Sequence, residues 1–192
     1  VMFGSWEPQL DAGPMFERVT ARLATIADLR LRVRPSEIML LRDHIDVPGL
    51  RLVAASDTDS GCMMGWSHTH CFVGPGDVYC PDGSARELER LVRAHGLRPT
   101  SLTSAGWLEL SAVMVGAEYI VIEPKLVREC TTIAGVEALA PTVELEETRV
   151  TVRLTAITEG HGVDHTVVVA DDGSVTMESH ERWHMPSDED VW

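Results

Sequence analysis

The chain has 192 residues, 44% of them hydrophobic and 24% charged, which is the make-up of an ordinary globular protein long enough to bury a full core. Its formal net charge of −14, from 30 acidic against 16 basic side chains, argues against nucleic acid and anionic membranes as partners, because both are held by clustered Lys and Arg and no dense basic stretch occurs. No apolar run reaches the length of a membrane span and no secretory signal pattern is present. A cytoplasmic location is therefore expected, with Cys62, Cys71, Cys80 and Cys130 as free thiols under reducing conditions.

Residues 1–13, with Trp6, Pro8 and Gly13, read as an irregular lead-in. Pro14 suits a first helical position, and Phe16, Val19, Leu23 and Ile26 follow at spacings of three and four, which predicts an amphipathic helix to about Leu29 lying on a sheet. Leu31 and Val33 alternate with Arg32 and Arg34 as a strand would, and after Pro35 a short apolar run covers Ile38 to Leu41. Val47-Pro48-Gly49 is a turn signal, and Leu50, Leu52 and Ala54 form a strand beyond it. A polar connection, Asp57 to Gly61, leads to a strand from Cys62 to Trp66 that delivers His68 and His70. After a loop rich in Gly and Pro, Ser84 and Glu87 have the spacing of a capping box, ahead of a helix with Leu88, Leu91 and Val92 on one face and Gly96 at its end.

Trp107 to Val115 fits strand or helix, because its apolar residues alternate while its composition also suits a helix. Glu118 to Ile122 reads as a buried strand, and Val127 to Thr142 as a short helical or loop element. Val150, Val152, Leu154 and Ala156 alternate cleanly with Thr151, Arg153 and Thr155, the period of a half-exposed strand. Asp171-Asp172-Gly173 is a hairpin turn between His165–Ala170 and Ser174–Met185, and the last seven residues read as a frayed acidic tail. The expected fold is a single α+β domain over 1–192: a mixed or antiparallel sheet packed with two or three helices in an α/β core, 14–130, followed by a β-rich extension, 131–192, that forms an antiparallel meander.

Chemistry-capable side chains are densest between Gly61 and Ser84. On an extended strand, residues i and i+2 point to the same side, so His68 and His70 can converge on one ion. Catalytic zinc takes three protein ligands and keeps a position for water, whose pKa it lowers towards neutrality. Asp82 is the natural third ligand, since Gly74, Pro75 and Gly76 can fold its loop back; Cys71 and Cys80 flank the same loop and are alternatives to it.

The wording Gly65-Trp66-Ser67-His68-Thr69-His70 resembles the metal-binding signature of the JAMM (MPN+) metalloproteases, over residues 35–96. That resemblance implies zinc held by His68, His70 and Asp82, with Glu37, in Pro35-Ser36-Glu37, as the general base acting on the water. The family's oxyanion-binding Ser is replaced here by Tyr79, which takes that role by position, with Thr69 and Ser84 as other hydroxyls in reach. The implied reaction is hydrolysis of an amide, either a peptide or an isopeptide bond, in a peptide or small-molecule substrate.

The C-terminal strands add His161, His165, His180 and His184. At i and i+4 each pair is expected to share a face, as a second metal cluster, as polar positions on a solvated sheet face, or as acid/base groups lining a pocket walled by Trp183 and Met177. The last option belongs to a rival function, a metal-free biosynthetic isomerase or cyclase of the β-barrel or hot-dog type acting on an apolar small molecule. A third class is a non-catalytic binding, immunity or accessory protein, which should present an exposed apolar patch. A homodimer is compatible with each.

Overall fold

The computed structural model describes residues 13–26, 37–57, 67–117, 119–120, 140–158 and 161–184. Among them three helices and nine strands form two antiparallel sheets, so the α+β class and the C-terminal meander are as the sequence predicts. The predicted strands at Leu31–Arg34 and Cys62–Trp66 and most of Val127–Thr142 lie outside the described residues.

Helix α1, Gly13–Leu23, buries Val19 and Leu23, with Ile26 buried just past its end. It stops short of Leu29: Ala24 and Thr25 form a turn, and the Thr25 hydroxyl donates to the Arg22 carbonyl (2.7 Å), a local bond that competes with continued helix.

The first sheet runs in sequence order through β1 (Glu37–Asp43), β2 (Arg51–Asp57), β3 (Ser67–Val73) and β4 (Val78–Tyr79). One face carries Ile38, Val53, Ala55, Cys71, Val73, Val78 and Cys80 against α1; the other carries Leu52, Phe72 and Tyr79 into a larger core. Burial on both faces explains why β2 reads as an unbroken apolar run, Leu52 to Ala55, rather than as an alternation. A bulge between Leu40 and Arg42 adds one residue to β1, which brings Arg42 opposite Leu52, on the face of the larger core.

Helices α2 (Arg86–Ala94) and α3 (Ser104–Met114) fill the space between the sheets: α2 touches β4, α3 and the second sheet, and α3 touches β3 and the second sheet. That placement settles the ambiguity at Trp107–Val115. A helix covered on several sides needs no polar stripe, and Trp107, Leu110, Ala112, Val113 and Met114 are all buried. Its start is fixed by Thr103, whose Oγ1 accepts from the Gly106 N–H (3.2 Å), while Asp46 Oδ2 accepts from the Thr103 N–H (2.9 Å) and hydroxyl (2.6 Å).

The second sheet comprises β5 (Tyr119–Ile120), β6 (Thr142–Leu145), β7 (Arg149–Thr158), β8 (His161–Ala170) and β9 (Val175–His184), in the order β5-β7-β8-β9 with β6 also on β7. The predicted hairpin turn joins β8 to β9, with Gly173 at φ +79°, a conformation that favours glycine. Val150, Val152, Leu154, Val167, Val169 and Val175 turn inward and share one core cluster with Phe72, Leu88, Leu91 and α3.

Candidate functional site

Register places the sequence-predicted residues more sharply than periodicity does. Glu37 pairs with Ser56, and Ser56 pairs with His68, so the three form one line across β1, β2 and β3. The next line is Met39, Ala54 and His70. Directly opposed residues in an antiparallel ladder share a face, so Glu37, His68 and His70 occupy the face that also carries Leu52 and Phe72. Two strand spacings separate the backbones of Glu37 and His68 by about 10 Å, enough for an ion and a water between them. The side chains of Glu37 and His68 lie outside the described residues; the His70 side chain is half-buried.

The chain just before Asp82 is tied to β3 by a covalent link. Cys71, beside His70, is joined to Cys80 across β3 and β4, with Cα atoms 4.5 Å apart. The bond continues the Phe72–Tyr79 and Val73–Val78 pairing by one rung, and Asp82 follows two residues later. The expectation of free thiols therefore fails for Cys71 and Cys80: their register brings the two sulfurs together, and a disulfide has no thiolate to offer a metal in place of Asp82. Cys62 and Cys130 lie outside the described residues.

Asp82 Oδ1 accepts from the Ser84 N–H (2.9 Å) and hydroxyl (2.8 Å), and Ser84 Oγ accepts from the Arg86 N–H (3.2 Å). These bonds leave Oδ2 as the atom for a ligand role. They also replace the predicted capping box: the residue preceding α2 is Ala85, without a side-chain cap, and Glu87 turns away from Ser84 to pair with Arg22 of α1 and with Arg90 (2.9 Å). Glu87 is only 2% exposed. Burial works to raise its pKa, but the hydrogen bonds and charges of Arg90 and Arg22 outweigh it and hold the carboxyl below its ordinary value.

The three hydroxyls proposed for the oxyanion separate clearly. Thr69 is buried and alternates with His68 and His70, so it belongs to the opposite face; Ser84 is engaged with Asp82; Tyr79 shares the histidine face. Its ring lies under the Arg90 guanidinium (4.4 Å to the centroid) and edge-on to His95 (5.8 Å between centroids). Burial, with the Asp77 charge, pushes its phenol above the ordinary value, so it remains a donor at neutral pH.

The sequence reading passed over a second polar group on this face. Glu109, alone among the apolar residues of α3, is 5% exposed; Arg42 Nη2 stands 2.8 Å from Oε1 and His44 Nε2 3.8 Å from Oε2. Neither oxygen receives a well-directed hydrogen bond, and burial raises the carboxyl's pKa against the lowering effect of Arg42. The buried His44 ring accepts at Nδ1 from the Asp46 and Val47 N–H groups (3.1 Å each), which leaves its proton on Nε2, and burial keeps it neutral. A lone Glu within an apolar helix was the available signal.

Of the two expected pairs, His161 and His165 occupy positions on one face of β8, whereas His180 and His184 do not share a face. A bulge at Arg182 flips the end of β9, so His180 lies opposite Asp164 on the outer face, while His184 lies opposite His161 on the inner one. His165 is on the inner face opposite Ser179, with Nδ1 2.8 Å from the Ser179 Oγ, and burial pulls its pKa down to about 4.

Among the described residues, no three His, Cys, Asp or Glu side chains form a group that could hold a metal ion, and no helix is long and apolar enough to cross a membrane. Comparison with protein-family models, with curated proteins and with solved structures finds no match to this chain.

Proposed function

We propose that the protein is a zinc-dependent hydrolase of the JAMM type that cleaves an amide or isopeptide bond. One observation carries the reading: Glu37, His68 and His70 occupy adjoining register positions on one sheet face, two strands apart. The donor set fits the metal, since two imidazoles and one carboxylate are a common catalytic complement for zinc. Support for Asp82 comes from the Cys71–Cys80 bond, which ties its loop to the residue beside His70.

Zinc held by His68, His70 and Asp82 would supply Lewis acidity to a water and to the scissile carbonyl. Glu37 would take the water's proton and deliver it to the leaving amine, a transfer for which an amide has no good substitute because its nitrogen departs poorly unprotonated. Tyr79 would donate to the developing oxyanion. The acidic chain favours a peptide or small uncharged conjugate over polyanions.

The cytoplasmic location expected from the sequence carried with it the expectation of reduced thiols. The Cys71–Cys80 bond supports the alternative, a chain that matures under oxidising conditions. The barrel or hot-dog cyclase is not favoured, because the space between the two sheets is occupied by the buried side chains of α2 and α3.

The test is elemental analysis of chain purified without chelators, followed by hydrolysis of isopeptide-linked dipeptides and N-acyl amino-acid amides. His68→Ala should lose the zinc associated with this site while keeping its circular dichroism. Glu37→Gln should keep that zinc and lose turnover. Zinc content unchanged in His68→Ala rejects the site, and turnover retained by Glu37→Gln reassigns the base.

A further inference from the structure

We propose that Ser179 and His165 form a second, metal-independent catalytic pair, in which Ser179 is the nucleophile towards small uncharged carboxylic esters. The two residues are direct register partners on β9 and β8. His165 Nδ1 stands 2.8 Å from Ser179 Oγ, the separation of a nucleophile and its base, and neither side chain has a second hydrogen-bond partner among the described residues. Ser179 is exposed, while His165 is half-buried beside Leu154, its buried partner on β7. Burial leaves the ring unprotonated at neutral pH, so with its one proton on Nε2 it accepts from the Ser179 hydroxyl at Nδ1.

The ladder turns a backbone donor towards the same point. The Ala170 N–H donates to the Ser174 carbonyl (3.0 Å), so even-numbered residues of β8 bond across to β9 and odd-numbered ones to β7; the Asp171 N–H, which reaches the Thr148 carbonyl (2.9 Å), keeps the same parity. Ser179 lies opposite an odd-numbered residue, so its own N–H points off the sheet, at an edge where no described strand follows β9. Such a pair also has the closer side chains, with Cα atoms about 4.5 Å apart, which is what lets Ser179 and His165 meet. An ester laid along this edge meets Oγ at its carbonyl carbon and the Ser179 N–H at its carbonyl oxygen. Half-buried Met177, next on the same face, offers an acyl chain an apolar wall, and exposed Glu178 and Glu181 disfavour anionic substrates. Oγ bonds to the acyl carbon as its proton passes to His165 Nδ1, and the alcohol leaves with that proton. Water, giving a proton to the same nitrogen, then releases the carboxylic acid and restores the hydroxyl. The pair is independent of Glu37, His68, His70 and Asp82.

The full chain in excess chelator, treated with a fluorophosphonate that carries a reporter group, tests this. Ser179 Oγ should bond to phosphorus and expel fluoride, its proton passing to His165, and peptide mass spectrometry should place the adduct on Ser179. Ser179→Ala should abolish that adduct and lower hydrolysis of p-nitrophenyl acetate by about tenfold or more, and His165→Gln should slow labelling by about 100-fold or more, the usual share of a general base. Ser174→Ala, at the turn of the same hairpin, and His68→Ala should label as wild type does. Chain unfolded in urea should not label, because the ladder alone brings the two side chains together; circular dichroism reports the fold of each variant. The proposal is overturned if folded wild type carries no adduct on Ser179, if folded and unfolded chain label alike, or if His165→Gln labels at the wild-type rate.

Discussion

Removing the Cys71–Cys80 bond should destabilise the fold by an amount that its loop length sets. The two cysteines are nine residues apart. In the chain-entropy treatment, a closed loop of that size removes about 8.6 cal/mol/K from the unfolded ensemble, or about 2.6 kcal/mol at 25 °C. For a chain of this length each kcal/mol moves the melting midpoint by about 2 to 4 °C, so reduction should lower it by roughly 5 to 10 °C. Reduction keeps both sulfurs in the core. Cys71→Ala with Cys80→Ala also empties volume at two fully buried positions and should cost about 1 kcal/mol more. Thermal melts of oxidised, reduced and doubly substituted chain, followed by circular dichroism, should therefore rank in that order. Thiol titration of the denatured chain gives an independent count, with the Cys71 and Cys80 thiols appearing only after reduction. Equal midpoints for oxidised and reduced protein, or both thiols reactive without reductant, would refute the reasoning.

The buried carboxylates should respond to pH with opposite signs. Burial holds the Glu109 carboxyl above its ordinary value, so the folded chain binds that proton more tightly and stability falls as pH rises from the unfolded towards the folded value. Glu109→Gln should gain about 1 kcal/mol over wild type at pH 7, with the gain vanishing near pH 4, in urea denaturation at both pH values; a loss at pH 7 contradicts this. Glu87 is held below its ordinary value by Arg90 and Arg22, so its contribution is present above the unfolded pKa and lost as pH falls through the folded one. Glu87→Gln should cost about 1 to 2 kcal/mol at pH 7 and converge on wild type under acid, and parallel stability curves would rule out the pairing as the cause. If zinc binds through Asp82, a phosphine reductant should weaken affinity at that site but not in Cys71→Ala with Cys80→Ala, where affinity is already low; equal affinity before and after reduction separates the disulfide from the site.

What the sequence disclosed was set by which features leave a period behind. The α1 stripe of Val19, Leu23 and Ile26, the shared face of His68 and His70, and the β7 alternation are each consequences of 3.6- or 2-residue repeats within one element. The position of Glu37 followed from family resemblance, and only the ladder put it on the His68 line. Three features had no local trace. The surroundings of α3 decide that its alternating apolar residues form a helix. The partner of Glu87 is Arg22, 65 residues away, which the Ser84 spacing concealed. The pairing of Cys71 with Cys80 depends on β4, a strand too short to read from the chain.

The two bulges share a physical logic that strict alternation hides. Without the extra residue in β1, Arg42 would fall on the α1 side of the sheet and leave Glu109 buried among apolar side chains with only the neutral His44 ring for company; the bulge supplies the guanidinium whose charge makes a buried Glu109 tolerable. Without the extra residue in β9, His184 would join the outer face with His180, and the inner face would end in a single imidazole at that rung. In both strands a one-residue insertion costs local ladder pairing and gains a polar residue on an otherwise committed face. The Cys71–Cys80 bond addresses the complementary weakness. A ladder holds register through rows of hydrogen bonds, and β4 offers only two residues to β3, whereas the segment leading to Asp82 must stay beside His70 if the two are to act together. Where pairing is too short to fix a position, a covalent bond one rung further does so, and placing it on the face opposite the histidines leaves their own face open for chemistry.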